Sequence, residues 1–401
     1  MERTVLHCDC NAFFASVEAT RYPKLKKQPF AVCGDPKLRH GIVLAKNEKA
    51  KRLGVQTGEA IWQAKAKCPD LVLVEPSYGI YDEFSERIFN IYCRYTDLVE
   101  PFGIDECWLD VTGTKSLFGS GEKIADELRK IVKSETGITI SAGVSFNKYF
   151  AKMGSDYKKP DATTVLTRNN YKDILFPLSV ENMLFVGKST LEKLSDIGIY
   201  TIGDLANADA KLLSLTLGKC GQMLYNCANG LDFSVVTPST YKHKYKSIGN
   251  GYTFKRDLVS DTDLKTGIYM ICDKVAHRLR KQKLECKTVQ LCIKDTHFHA
   301  IQRQKTLQNP TQSSYELANS ALELAINNWN VNDKPIRSMS VTGQNLIERS
   351  NEPEQLSLFY TDSFIFKRKK VILESTKDEI CEKYGNNVLR MCSLIDNDLG
   401  L

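Results

Sequence analysis

The first apolar block, residues 4–10, is short and β-prone, and it closes on Cys8-Asp9-Cys10. That pattern predicts a buried strand with a carboxylate at its end. Residues 11–19 (NAFFASVEA) then begin a helix, and residues 40–66 predict a strand over 41–45 followed by a helix rich in Lys and Ala. From Tyr78 to Tyr95, Ile80, Phe84, Ile88, Ile91 and Tyr92 recur at helical spacing. Two extended runs, 98–102 and 107–111, flank Gly103-Ile-Asp-Glu, a hairpin pattern with acids near its apex. A helix over 124–132, a strand over 138–144 and a helix from Asn147 ending near Lys159-Pro160 complete the first part. Strands alternating with helices and returning to acids predict an α/β sheet.

Residues 168–235 are patterned as helices, with glycine turns at Val186-Gly187-Lys188 and Ile197-Gly198-Ile199. Residues 242–345 mix strands (288–294, 339–342) with helices near 262–283 and 313–328, an α+β pattern. The polar stretch 348–354 reads as a linker, and a last helix spans about 366–384. The chain of 401 residues exceeds one core, so two to four domains are expected.

Charge changes this picture more than composition does. With 42% hydrophobic and 26% charged residues the chain reads as soluble, and no apolar run approaches the ~20 residues of a membrane span. The opening residues lack a signal-peptide core, so a cytoplasmic protein is expected. Residues 242–345 hold 17 Lys and Arg against 9 Asp and Glu, a net +8, while the whole chain carries +7. All the excess positive charge therefore lies in one segment, which suits a polyanion such as a nucleic acid backbone. The 13 cysteines form no CxxC pair and read as reduced, buried side chains. His297 and His299 read as ordinary histidines, not a metal site.

Phosphoryl or nucleotidyl transfer needs several carboxylates at one point, because Mg²⁺ takes hard oxygen ligands and two such ions can flank the reacting phosphate. Asp9 and the pair Asp105-Glu106 are the candidates if adjacent strands bring them together. An acid pair at a hairpin is more often a solvated turn. The residues alone reach only a two-metal nucleotidyl-transfer candidate beside a basic module.

Three blocks carry more: Asp9-Cys-Asn-Ala-Phe-Phe-Ala-Ser-Val-Glu18, Gly103-Ile-Asp-Glu-Cys-Trp-Leu-Asp110 and Gly143-Val-Ser-Phe-Asn-Lys-Tyr-Phe-Ala-Lys152. In order and spacing they resemble the signature blocks of the Y-family (translesion) DNA polymerases, in particular the bacterial polymerase IV branch and its Gram-positive relatives. The resemblance covers essentially the whole chain. It implies a right-hand α/β multidomain fold: palm (1–10 and 78–167), fingers (11–77), helix-hairpin-helix thumb (168–235) and α+β little finger (242–345). Residues 346–401 would supply a linker, a clamp-binding peptide and a C-terminal helix.

The resemblance also implies roles. Asp9, Asp105, Glu106 and the Cys10 backbone carbonyl would hold two Mg²⁺ ions, Asp105 and Glu106 being catalytic, while Asp110 serves the fold. Phe14 would be the steric gate against a ribose 2′-hydroxyl, beside Phe13, and Lys51 and Lys159 would face the triphosphate. Lys148 and Lys152 belong to the third block without an assigned role. Glu48 stands where many relatives have Tyr and is expected to turn away or pair with Lys46 or Lys51. Ile42 and Leu44 would roof the templating base. Gly187 and Lys188 would bind DNA backbone, although Phe185 stands where Gly is usual. Lys255, Arg256, Lys287 and Arg303 are further candidate DNA contacts, and Gln355, Leu356, Leu358 and Phe359 resemble the sliding-clamp peptide.

The expected partners are primer-template DNA, deoxynucleoside triphosphates and a sliding clamp, for a monomer near the bacterial nucleoid. With no room left for a proofreading nuclease, low fidelity is expected. A nucleotide cyclase would lack the second and third blocks. A non-catalytic scaffold bound to DNA and clamp is the alternative, against which stand all three carboxylates.

Overall fold

A computed structural model describes residues 2–35, 39, 41–241, 244–348, 361–385, 388–389 and 398–399. The chain divides into two units, residues 1–34 with 42–242, and residues 243–401 with the short segment 35–41.

In the first unit, strand β1 (Val5–Cys10) leads into helix α1 (Phe13–Arg21), followed by β2 (Phe30–Cys33) and β3 (Val43–Lys46). Next come α2 (Glu48–Arg52), α3 (Ile61–Lys67), β4 (Val72–Val74) and α4 (Tyr78–Tyr92). The hairpin β5 (Val99–Pro101) and β6 (Glu106–Asp110) precedes α5 (Lys115–Phe118), α6 (Gly121–Thr136), β7 (Ile140–Ser145), α7 (Lys148–Tyr157) and β8 (Thr163–Val165). Five helices close the unit: α8 (Tyr171–Leu175), α9 (Lys188–Asp196), α10 (Ile202–Asn207), α11 (Ala210–Leu217) and α12 (Lys219–Ala228).

The main sheet has the order β5-β6-β1-β7-β8, and β1, wholly buried, is its centre. β1 runs antiparallel to both β6 and β7. Because side chains alternate across a strand, Leu6, Cys8, Cys10, Cys107 and Leu109 enter one core with Ile88 and Tyr92 of α4 and Leu128 of α6. His7, Asp9 and Glu106 point to the other face, which α7 covers. That close approach requires Gly143 on β7, where a Cβ would collide with the Ala151 carbonyl and the Ser155 amide.

The Lys- and Ala-rich helix expected over the end of 40–66 is broken into α2 and α3. Gly54 and Gly58 between them have φ of 84° and 86°, a left-handed conformation that ends a helix. The Asn47 side chain accepts from the Ala50 amide and starts α2. β2, β3 and β4 make a separate three-stranded sheet. Before α9, Phe185 is 56% exposed with φ 72°. An L residue there costs about 1–2 kcal/mol relative to Gly, which explains why Gly is usual at that point.

In the second unit β9 (Ser247–Leu258), α13 (Asp261–Lys281), β10 (Leu284–Asp295), β11 (Ala300–Thr311), α14 (Ser314–Asn328) and β12 (Ile336–Glu348) form a four-stranded sheet, order β11-β10-β12-β9, with a core of both helices. The expected strands lie inside β10 and β12. β9 and β11 went unforeseen because β9 is interrupted by glycines and β11 is a largely exposed edge strand. Asp295 of the turn at 295–299 accepts from the His297 and His299 amides. Helix α15 (Thr361–Tyr384) is anchored to this unit: Arg280 pairs with Glu374 at 2.5 Å and Asp378 at 2.6 Å, and Lys377 with Asp273 at 2.7 Å. Glu374 also accepts from the Ser314 amide at the start of α14.

Candidate active site

The β1–β6 register sets Asp9 directly opposite Glu106. Asp105 is drawn in from the hairpin apex, where its carbonyl accepts from the Cys10 amide at 3.0 Å. Beyond Cys10 the chain turns sharply: Ala12 has φ 47° and caps α1, while the Asn11 side chain bonds Ser141 and the Asp161 amide. The result is a cavity of about 410 Å³ whose walls include Asp9, Cys10, Phe14, Leu44, Lys51, Asp105 and Lys159.

Two ammonium groups sit among these carboxylates. Lys152 of α7 lies 2.8 Å from Asp9 and 2.6 Å from Glu106, and Lys159 lies 2.9 Å from Asp9. Burial by itself would lower the Lys152 pKa, but Asp9 and Asp156 outweigh it and push it up. The His7 imidazole is fully buried, with Nδ1 2.8 Å from the Ser155 hydroxyl and Nε2 3.3 Å from Glu106. The latter contact is too poorly aligned for a hydrogen bond. Burial lowers the pKa of His7 against the raising effect of Glu106, and the ring packs beside that carboxylate. Burial would also raise Glu106, yet the His7 and Lys152 contacts hold it down at about 2. Asp105 has no such cation at contact distance among the described residues, and burial with the charges of Asp9 and Glu106 pushes it up to about 6.

This donor set fits hard divalent cations. Ligand atoms of His7, Asp9 and Glu106 lie within 4.8 Å of one another. The carboxylates suit Mg²⁺ far better than the imidazole does, so His7 is read as orienting Glu106. A raised Asp105 is itself the mark of a site short of positive charge.

Phe14 stacks on Tyr81 (4.3 Å between centroids, 13° between planes) and meets Tyr78 edge-on. Tyr81, fully buried, donates to Glu18 at 2.8 Å, so the Phe14 ring is held rigidly at the cavity wall. Phe13, 4% exposed, packs into the core and also lines the cavity. Lys51 is half exposed and only 3.8 Å from Glu48, and both line the cavity, as does Lys46, which donates to Thr57. Leu44 is at the cavity and Ile42 is exposed.

Three other charged residues are occupied structurally. Asp110 binds Arg3 at 2.9 Å and Thr112. Lys148 binds Glu100 at 2.6 Å and lies over the Trp108 ring. Arg256 is held by Asp263 and Asp398.

Family models match three stretches: the impB/mucB/samB family over residues 8–156, the DNA polymerase-iota thumb domain over 185–232, and the impB/mucB/samB C-terminal domain over 245–358. DNA polymerase IV of Acetivibrio thermocellus is 45% identical over 401 residues, all of this chain and 99% of that one. The chain belongs to the Y-family of DNA polymerases. The Clostridium kluyveri DNA polymerase IV is 36% identical, covering 98% of this chain and 99% of its own. DNA polymerase IV 1 of Bacillus subtilis is also 36% identical, covering 97% and 92%. A solved Y-family DNA polymerase chimera shares the fold at a TM-score of 0.76 and 23% identity, over 86% of this chain and 99% of that one.

Within this Y-family chain, sequence reasoning assigned no part to His7 or Tyr81 and no role to Lys152. A signal for His7 existed: it lies two residues before Asp9 on one strand, hence on the same face. Lys152 needed the β7–α7 packing to be placed. In the second unit the register sets Gln290, Cys292 and Lys294 on the sheet face opposite the helix-packed Leu291 and Ile293, beside Gln302, Gln304, Ser340 and Thr342. Lys255 and Lys287 are exposed, whereas Arg303 reaches back to Asn328 of α14. Gly187 and Lys188 are exposed at the start of α9. Gln355, Leu356, Leu358 and Phe359 lie outside the described residues.

Metal linkage gives a direct check on this site. A carboxyl whose pKa is raised on folding favours the folded state at low pH and loses that contribution as pH rises through its folded value. Asp105 therefore weakens the fold as pH passes about 6, and a divalent cation reverses the loss. The rise in Tm caused by Mg²⁺ is expected to be several degrees larger at about pH 7.5 than at about pH 5. Paired thermal melts with Mg²⁺ and with a chelator measure it; an equal increment at both pH values would place the metal elsewhere.

Proposed function

We propose that this Y-family polymerase extends a primer 3′-hydroxyl on a DNA template by two-metal nucleotidyl transfer, without proofreading and past damaged bases. One observation carries the reading: Asp9 and Asp105, the latter pushed up to about 6, line a cavity that also holds Lys51, Lys159 and the immobilised Phe14 in its walls, and Glu106 stands directly opposite Asp9. Two Mg²⁺ ions held by Asp9, Asp105, Glu106 and the Cys10 carbonyl would supply the positive charge that activates the attacking hydroxyl and steadies the leaving pyrophosphate. Lys159 and Lys51 hold the triphosphate, and Lys152 fixes the spacing of Asp9 and Glu106. Primer extension on a recessed template with Mg²⁺ tests the activity, and failure with folded protein would favour a scaffold.

The palm is assigned to residues 1–10 and 78–167, the fingers to 11–77, the thumb to 168–235 and the little finger to 242–345. The Gly187 and Lys188 turn is read as gripping phosphates without reading bases. In the little finger, Lys255, Lys287 and the polar sheet face around Lys294 do the same. Arg256 and Arg303 contribute less, because their guanidinium groups are already engaged. No helix among the described residues is long and apolar enough to cross a membrane; the protein is assigned to the cytoplasm beside the nucleoid, where its DNA substrate lies, and is read as a monomer.

Sugar selection has its own test. Phe14→Ala opens the wall at the sugar C2′ and is expected to shrink the deoxy-to-ribonucleotide ratio of kcat/KM roughly a hundredfold. An unchanged ratio would make Phe14 a packing residue.

The peptide Gln355-Leu-Ser-Leu-Phe359 is assigned to a sliding clamp, with Leu358 and Phe359 as apolar anchors worth ~2 kcal/mol or more each. Replacing both by Ala should leave Tm and synthesis on short primers intact while erasing stimulation by a loaded clamp. A drop in Tm, or full stimulation, would assign the peptide to the fold.

A further inference from the structure

The main sheet has a second cavity, of about 240 Å³, between α4 and the β5–β6 hairpin; Cys107 lies in its wall together with Asp105 and Glu106, so it adjoins the catalytic carboxylates. Its body is apolar, with Phe89 and Ile104 among its walls, and no basic residue lines it. Tyr92 also lines it. That side chain is 1% exposed, and its hydroxyl has no hydrogen-bond partner among the described residues. A buried hydroxyl left unpaired is destabilising, and a ligand in the adjoining space can supply its partner. At the mouth, Asp82 and Glu86 are exposed, one helical turn apart on one face of α4, and neither forms an ion pair with a described residue.

We propose that this cavity is a binding site for a small organic cation with an apolar body. The ammonium lies against Asp82 and Glu86, the body fills the space beside Phe89 and Ile104, and a polar group at the far end pairs with the Tyr92 hydroxyl. The volume admits a ligand of fragment size, below the range of drug-sized sites. The acidic mouth, without a basic residue in the walls, disfavours a triphosphate, whereas the nucleotide cavity, which shares Cys10, Ile104 and Asp105 with it, also carries Lys51 and Lys159. The Ser85 hydroxyl already donates to the Ile104 carbonyl and ties α4 to the hairpin. A ligand between the two elements would brace the loop that presents Asp105 and Glu106.

Tyramine, an aryl amine with a phenol at the opposite end, is a suitable probe for the full-length protein. Ligand-observed NMR titration should show tyramine binding, phenethylamine binding several-fold more weakly, and 4-hydroxyphenylacetate not binding. Asp82→Asn with Glu86→Gln should weaken tyramine at least about tenfold, as expected for lost charge-assisted contacts. Tyr92→Phe removes the orphaned hydroxyl, so Tm without ligand should hold or rise while tyramine falls to the affinity of phenethylamine. A merely structural hydroxyl would lower Tm and leave the two amines distinguishable. Absence of tyramine binding at millimolar concentration, binding of the carboxylate as strong as that of the amine, or tyramine affinity unchanged by both sets of substitutions would each overturn the proposal.

Discussion

Glu106→Ala and Asp105→Ala are each expected to lower the single-turnover rate of nucleotide addition by about a thousandfold or more, since each removes charge that holds a metal worth several kcal/mol in the transition state. The fold should survive both. In Glu106→Ala the buried Lys152 keeps Asp9 at 2.8 Å and Asp156 at 3.3 Å, so no ammonium is left without a partner. Asp105→Ala removes a group that burial already penalises, and it should raise Tm slightly in the presence of chelator. Primer-template affinity, carried by the basic residues elsewhere, should stay within a few-fold for both. Extension at near wild-type rate by either variant, with a native melting profile, would rule out these carboxylates as the metal ligands.

Gly143→Ala should be the most damaging single methyl group in the first unit. The added Cβ meets the Ala151 carbonyl and the Ser155 amide, both backbone atoms of α7, and backbone cannot rotate out of the way. The expected loss is about 3–5 kcal/mol, or roughly 10 °C in Tm for a unit of this size. Activity should fall even where the variant is still folded, because α7 carries Lys152 and Ser155 holds the His7 ring. Gly79→Ala on α4 is the control, since a Cβ there meets nothing within 4 Å, and it should be neutral or stabilising by up to ~1 kcal/mol. Equal melting temperatures for the two variants would show that β7 and α7 have room to part.

The palm-like sheet was legible in the sequence because its central strand is buried on both faces and its acids stand at strand ends. The hairpin around Asp105 was legible for the same reason. That Asp9 faces Glu106 residue for residue was not, since register depends on which strands pair and residue spacing does not encode it. The break between α2 and α3 was written in Gly54 and Gly58, but a run of Lys and Ala outweighed them. β11 defeats pattern reading because an edge strand with polar residues on both faces looks like a loop. Arg256 shows the limit of charge counting: its positive charge is real, yet Asp263 and Asp398 already neutralise it.

The anchoring of α15 through Arg280 decides what kind of object the peptide before it is. The twelve residues 349–360 connect the end of β12 to the start of α15, so the peptide is tethered through the chain on both sides. At 3.3–3.6 Å per residue, Gln355 is at most about 25 Å of chain from Glu348, and Phe359 about 7 Å from Thr361. A partner that seats Phe359 must therefore come down almost onto the first turn of α15, and its shape has to clear that helix. Undocking the helix, which takes loss of the Lys377–Asp273 pair as well as the Arg280 pairs, would lengthen this tether by the whole of α15. The same five residues would then search a much larger volume, at a lower local density around any one partner.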